Sequence, residues 1–129
     1  MFENFEIFRM AQGLAQYASN RQSVVARNIA NADTPGYRQQ DLASFSETYD
    51  SNFDQMPLRA TRAGHFAEPP SATLPKSSVV ENAETDANGN SVSLETEIMK
   101  TAVIRQQHEM ALSIYKNGLS VLRASLGRT

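Results

Sequence analysis

SLETEIMKTAVIRQQHEMALSIYKNGLSVLRASL, residues 93–126, is a proline-free run whose apolar spacing decides the fold. Ser93 suits an N-cap, and Asn88-Gly89-Asn90 ahead of it is a turn signal. The residue three beyond Ser93 is Thr96 rather than Glu, so the full capping box is absent. Glu95 and Glu97 in the first turn, with Arg123 and Arg128 near the end, match the helix dipole. On a helical wheel Met99, Val103, Met110, Ile114 and Val121 gather on one face. Ile98, Ile104, Leu112, Tyr115, Leu119, Leu122 and Leu126 gather on another, with Lys100, Gln107, Gly118 and Ser125 between them.

A second proline-free segment runs from about Asn4 to Ala30. Phe8, Ala11, Ala15, Ala18, Gln22, Val25 and Ile29 step by three and four, and Ile7 and Leu14 widen that face. Met10, Tyr17 and Val24, spaced by seven, form a separate stripe. Gly13 lowers helix propensity by roughly 1 kcal/mol relative to Ala. The helix is expected to stop near Asn31, because Thr34-Pro35-Gly36-Tyr37 suits a turn with Pro fixing φ and Gly taking positive φ.

The expected architecture is all-α. Two long terminal helices pack as an antiparallel coiled-coil-like hairpin, joined by an extended, partly disordered or minor-β middle. The segments are 1–37, 38–90 and 91–129, together one domain. Each terminal helix carries two apolar stripes where an isolated hairpin needs one. The second stripe either packs on the middle segment or meets other subunits. A lone hairpin with helices of roughly 40 and 50 Å leaves most side chains half exposed, so assembly would complete its core.

The middle differs from the ends. Residues 41–88 carry three basic and eight acidic groups, against four and three in residues 1–40 and five and three in 89–129. Four of the five prolines also fall there, at 57, 69, 70 and 75. Phe45, Tyr49, Phe53, Met56, Leu58, Phe66, Val79 and Val80 could order parts of it, and Ser77–Glu81 could form a short strand.

Across 129 residues there is no Cys and no Trp, and the net charge is −2. These values exclude disulfide scaffolds and thiol chemistry, and argue against nucleic acid as the main partner. No run spans a bilayer, and no cleavable signal peptide is expected. Catalytic constellations are nearly absent, so an enzyme is not expected. His65 lies in a loop without a nucleophile or paired carboxylate, and His108 reads as a packing or subunit-contact residue. Asp86, Asn88, Asn90 and Glu97 fall in a calcium-loop register, but Ser91 stands where that loop needs Gly, so a turn into a helix is favoured. No cofactor or metal site is expected.

Asn28 to Tyr37 reads NIANADTPGY, a helix end running into a polar turn. This stretch resembles the signature of the flagellar rod, hook and hook-associated axial proteins. Arg21–Arg27 before it, Thr61–Phe66, and Gly89–Glu95 with Glu97 and Met99 extend the resemblance to the smallest, proximal-rod members. It implies a structural subunit of the flagellar basal-body rod, stacking helically into the drive shaft that crosses the periplasm. The implied partners are further copies of the chain, the proximal-rod protein FlgC, the adaptor FliE and the flagellar type III export apparatus. FlgC is itself the competing identity within the family. Export without a cleaved signal is implied, with no nucleic acid and no direct bilayer insertion. The Phe2, Phe5, Ile7, Phe8 cluster is either core or an export signal, and its place on the main stripe favours core. From another class, a cytosolic coiled-coil adaptor or export chaperone is the alternative, and a small hydrolase is last. The expected subunit contacts are Met10, Tyr17, Val24, Met99, Val103, Met110, Ile114 and Val121. Asn28, Asn31, Asp33, Thr34, Pro35, Gly36 and Tyr37 form the signature turn beside them.

Overall fold

The computed structural model describes residues 2–53, 77–80 and 83–127. Its elements run α1 (Phe2–Ala30), β1 (Gln40–Asp41), α2 (Phe45–Phe53), β2 (Ser78–Val79) and α3 (Leu94–Ser125). At 1.5 Å per residue, α1 and α3 are about 44 and 48 Å long. They are antiparallel: Asn28 near the end of α1 bonds Glu97 at the start of α3, while Phe8 at the other end stacks edge-on against Tyr115. The fold is therefore the expected all-α hairpin with minor β structure.

Both long helices begin or end where local chemistry dictates. Ser93 caps α3, its hydroxyl accepting from the Thr96 N–H. The chain leaves α1 through a Thr34–Tyr37 turn, closed by the Tyr37 N–H on the Thr34 carbonyl at 3.2 Å. Pro35 occupies its second position and Gly36 its third, at φ 73°, as a type II turn requires. The chain then pairs β1 antiparallel with β2, Gln40 opposite Val79 and Asp41 opposite Ser78.

Helix α2 was not expected, and its cause is local. Ser44 and Glu47 form a reciprocal capping box: the Glu47 carboxylate accepts from the Ser44 N–H at 3.1 Å, and the Ser44 hydroxyl accepts from the Glu47 N–H. This helix start places Phe45 over Gly13 and against Tyr17, ring centroids 5.6 Å apart. Met56, Leu58 and Thr61–Phe66, with His65, lie outside the described residues, as do the side chains of Phe2, Phe5 and Phe53.

Among the described residues two small clusters make the core. Leu14, Tyr17, Val24, Leu42 and Ala111 form one; Ala18, Val25 and Ile104 form the other. The expectation that Tyr17 and Val24 face other subunits is corrected here. Leu42 covers them, Phe45 flanks Tyr17, and the Tyr17 hydroxyl donates to the Ala43 carbonyl at 2.8 Å. Met10, on the same stripe, stays exposed.

The face that α3 buries is narrow. Glu97, Ile104 and Ala111 are its buried residues, spaced by seven, and Gly118 continues the series. A Cβ on Gly118 would come within 2.8 Å of the Phe8 ring, so the absent side chain lets the helices close. The seam thus runs along the edge of the second apolar stripe, at Ile104, and through small residues between the two stripes of α3.

Candidate functional site

The end of the hairpin that holds the signature turn is a buried polar joint. Asn28 is fully buried, and its amide pairs with both backbone groups of Gln40: Nδ2 donates to the carbonyl at 2.7 Å and Oδ1 accepts from the N–H at 3.1 Å. That pairing fastens α1 to the start of β1 much as a neighbouring strand would. The same amide accepts from the Tyr37 hydroxyl and donates to Glu97 at 3.0 Å.

Glu97 is the centre of the joint. Its side chain is completely buried, and it accepts from Asn28 Nδ2, Gln39 Nε2 at 2.7 Å and Lys100 Nζ at 2.9 Å. Lys100 also bridges to Asp41 at 3.1 Å, and Arg21 grips that carboxylate through Nε at 2.9 Å and a terminal amino group at 3.1 Å. One alternating charge network therefore links α3, β1 and α1. Burial pushes the Asp41 carboxyl up, but hydrogen bonds from Arg21, the Leu42 N–H and Lys100 outweigh it and hold the group below its ordinary range. The bond to Asp41 raises Arg21 further. Burial also raises the Tyr17 phenol, with Arg21 opposing.

Asn90 and Ser91 complete the joint from the loop before α3. The Gln39 N–H donates to the Ser91 hydroxyl at 2.8 Å. Asn90 directs its Nδ2 at the carbonyls of Asn31, Ala32 and Thr34. Of the signature residues, Asn28 is buried within this network, Asn31 back-bonds to the Arg27 carbonyl, and Tyr37 reaches Asn28. Asp33, Thr34, Pro35 and Gly36 present an exposed outer surface. Gln39, Asn90, Ser91 and Glu97 were not among the expected site residues. Glu97 reads as a dipole complement from its position alone, whereas its spacing of seven from Ile104 is the signal that places it in the seam.

The long sides of the hairpin are the opposite of the joint. Met99, Val103, Met110 and Val121 are 71, 48, 51 and 62 % exposed, and Ile114 is half-buried. The outward strip of α3 that holds Met99, Val103, Met110 and Val121 continues through Ala102, Gln106, Ser113, Asn117, Ser120 and Ala124, without a charge. The exposed charges beyond the first turn (Arg105, Glu109, Lys116, Arg123) fall on a different strip, where Arg105 and Glu109 pair at 3.2 Å. On the remaining side Ile98, Leu112, Tyr115 and Leu126 are exposed. His108 lines a groove of about 350 Å³ between α1 and α3, beside Ala18, Thr101 and Ile104.

Among the described residues no three His, Cys, Asp or Glu converge as a metal site, and no helix is long and apolar enough to cross a membrane. In the calcium-loop register, Asn90 is spent on carbonyls and Glu97 on the joint. A rigidly joined hairpin with an uncharged, exposed apolar strip suits assembly with other chains.

Comparison with known proteins agrees with that class. The family described as flagella basal body rod protein matches residues 8–38. A flagellar basal body rod protein FlgB of Agrobacterium fabrum is 31% identical over 118 residues, covering 87% of this chain and 86% of that protein. FlgB of Buchnera aphidicola is 28% identical over 116 residues, 87% of each chain. FlgB of Aeromonas hydrophila is 41% identical over 66 residues, 46% of this chain and 49% of that one. The chain belongs to the FlgB family of flagellar basal body rod proteins, structural subunits of the rod. The paralogue FlgC is not favoured, since these relatives are all FlgB.

Proposed function

We propose that this subunit polymerises by laying the uncharged outer strip of α3 against sister copies in the proximal rod. The observation that carries the reading is that strip itself. Four large apolar side chains stand exposed on it with no Asp, Glu, Lys or Arg among them from Met99 to Ala124. Exposed apolar surface of this extent marks an interaction face. Met99, Val103, Met110, Ile114 and Val121, with Met10 on α1, are the contacts, and residues 1–37, 38–90 and 91–129 act as one rod-core unit. Torque passes across the periplasm through many repeated helix–helix contacts, a mechanical rather than an enzymatic role. FlgC and FliE are the neighbouring components, and the flagellar type III export apparatus delivers the chain without a cleaved signal.

Because the chain has no native cysteine, single cysteines report position against a clean background. Met110→Cys and Val121→Cys in isolated basal bodies are expected to resist maleimide labelling and to cross-link copy to copy. A cysteine at the charged strip, Lys116→Cys, is expected to label more readily. Free labelling of all three sites in intact basal bodies refutes the assignment.

A further inference from the structure

The geometry points to Asn90 as the residue that positions the signature turn, making the turn's presented surface conditional on docking of the C-terminal half. The inference rests on the reading that this turn stands beside the subunit contacts.

A helix end leaves its last four carbonyls without intrahelical partners. In α1 those of Arg27 to Ile29 are met by the N–H groups of Asn31 and Ala32, and the carbonyls just beyond, at Asn31, Ala32 and Thr34, by the amide of a residue almost sixty positions away. Asn90 Nδ2 lies 2.9 Å from the Asn31 carbonyl, 2.8 Å from that of Ala32 and 2.8 Å from that of Thr34. Two N–H groups shared among three carbonyls fix the path of the chain across residues 31–34. Asn90 is itself held, 1 % exposed, with its Oδ1 accepting from the Val92 N–H at 2.7 Å and its own carbonyl accepting from Asp86 at 2.8 Å. Its neighbours repeat the grip: the Gly36 N–H donates to the Asn88 carbonyl and the Ser91 N–H to the Tyr37 carbonyl, each at 3.1 Å. Gly89 takes φ 81°, a backbone conformation that side-chain-bearing residues rarely adopt, and so sets the path of this loop against Gly36.

The turn's own bonds stay within residues 27–37. The Asn31 and Ala32 N–H groups and the Asn31 amide close on the carbonyls of Arg27 to Ile29, Thr34 N–H reaches the Asn31 carbonyl, Tyr37 N–H reaches that of Thr34, and a 3.3 Å contact joins the Thr34 and Asn31 side chains. Pro35 and Gly36 bias the turn, but the Ala32 and Tyr37 carbonyls and the Gly36 N–H find their partners in residues 88–91. Asp33, Thr34, Pro35 and Gly36 therefore take one fixed outward arrangement only after the loop before α3 has docked. A chain whose C-terminal half is still loose does not offer that surface to a growing rod.

The test uses the full chain. Asn90→Asp keeps the acceptor for the Val92 N–H but removes both donors and turns an acid toward three carbonyls. Ile104→Ala, in the seam and away from the joint, is the control for lost stability. Amide hydrogen exchange is read where circular dichroism shows both variants folded, and incorporation is read in purified basal bodies. Asn90→Asp is expected to speed exchange of the Thr34 and Tyr37 amides by about tenfold or more over the distal amides of α3, and to lose incorporation. Ile104→Ala is expected to speed exchange along the hairpin without singling out the turn, and to retain incorporation. Wild-type exchange in rising urea gives a second reading that needs no variant, with the turn and the first turns of α3 opening together. Turn protection that outlasts the opening of α3, or is unchanged in Asn90→Asp, overturns the clamp. A loosened turn with normal incorporation overturns instead the turn's part in assembly.

Discussion

The two ends of the hairpin solve different problems. At the turn end, Asn28, Gln39, Asn90, Ser91 and Glu97 are all buried, and they meet one another or the backbone through short hydrogen bonds. At the other end, among the described residues, Phe8 and Tyr115 make an edge-to-face contact, centroids 5.2 Å apart, and Val121 and Leu126 lie open. Hydrogen bonds are directional and costly to leave unmade, so they must be completed within the subunit. Apolar burial is non-directional and scales with area, so it can be deferred to a neighbour. The joint gives the subunit its shape, and the open half leaves it adhesive.

The contrast breaks most readily at Glu97. Glu97→Ala leaves Asn28, Gln39 and Lys100 without their shared acceptor, and removing one partner of a buried charge pair costs about 3–5 kcal/mol. Against a typical domain stability of about 5–15 kcal/mol, this should abolish cooperative unfolding in urea. Glu97→Gln keeps the shape but turns an amide toward donors, for a loss of about 1–3 kcal/mol. Melting of Glu97→Ala at the wild-type midpoint would mean that the joint is not the anchor. Gly118→Ala probes the loose end. Crowding of the Phe8 ring costs about 1–3 kcal/mol, helix propensity returns about 1, and the net loss is near 1 kcal/mol. A loss at Gly118 as large as at Glu97 would erase the difference between the ends.

Legibility in the sequence followed the range of the interactions. Local signals located α3 within a residue at each end, the stop of α1, the Pro35–Gly36 turn and the strand at Ser78–Val79. Helix α2 was equally local, spelled by Ser44 and Glu47 three apart and by Phe45, Tyr49 and Phe53 at steps of four, within a segment whose composition suggested a loop. The joint was not legible, because Gln39, Asn90 and Ser91 find partners more than fifty residues away and look like ordinary loop polars beforehand. The seam of α3 was hidden for a different reason. Three of its four positions are Glu, Ala and Gly, so hydropathy passes over the face that packs most tightly. Tyr17 and Val24 were misplaced because Leu42 and Phe45 lie just beyond the turn and fold back over α1.

Acid should act on the joint before the flanks. The folded Asp41 carboxyl titrates below its unfolded value, so its contribution to stability is complete above about pH 4 and declines as pH falls through the lower folded value. Urea midpoints measured from pH 6 downward should drop on that limb, and Asp41→Asn should flatten the drop while lowering stability at neutral pH. A limb of unchanged steepness in Asp41→Asn would assign the acid sensitivity elsewhere. The raised Tyr17 phenol has the opposite sign: its contribution is present below about pH 10 and lost as pH rises above that.

The smallest expected effect on the fold carries the most weight for function. Val103 stands half exposed on the uncharged strip, away from the joint and outside both core clusters. Val103→Asp should shift monomer stability by no more than about 0.5 kcal/mol, the usual range for surface sites. In an assembled rod the same carboxylate would be sealed against apolar side chains, and an unpaired buried charge costs several kcal/mol. Repeated in every copy, that penalty should stop incorporation and swimming while the exported protein still melts like wild type. Lys116→Asp, on the charged strip, should swim. Normal swimming by Val103→Asp would mean that the strip faces solvent in the finished rod. The deferred apolar surface would then have to be sought on the Ile98, Leu112 and Tyr115 side instead.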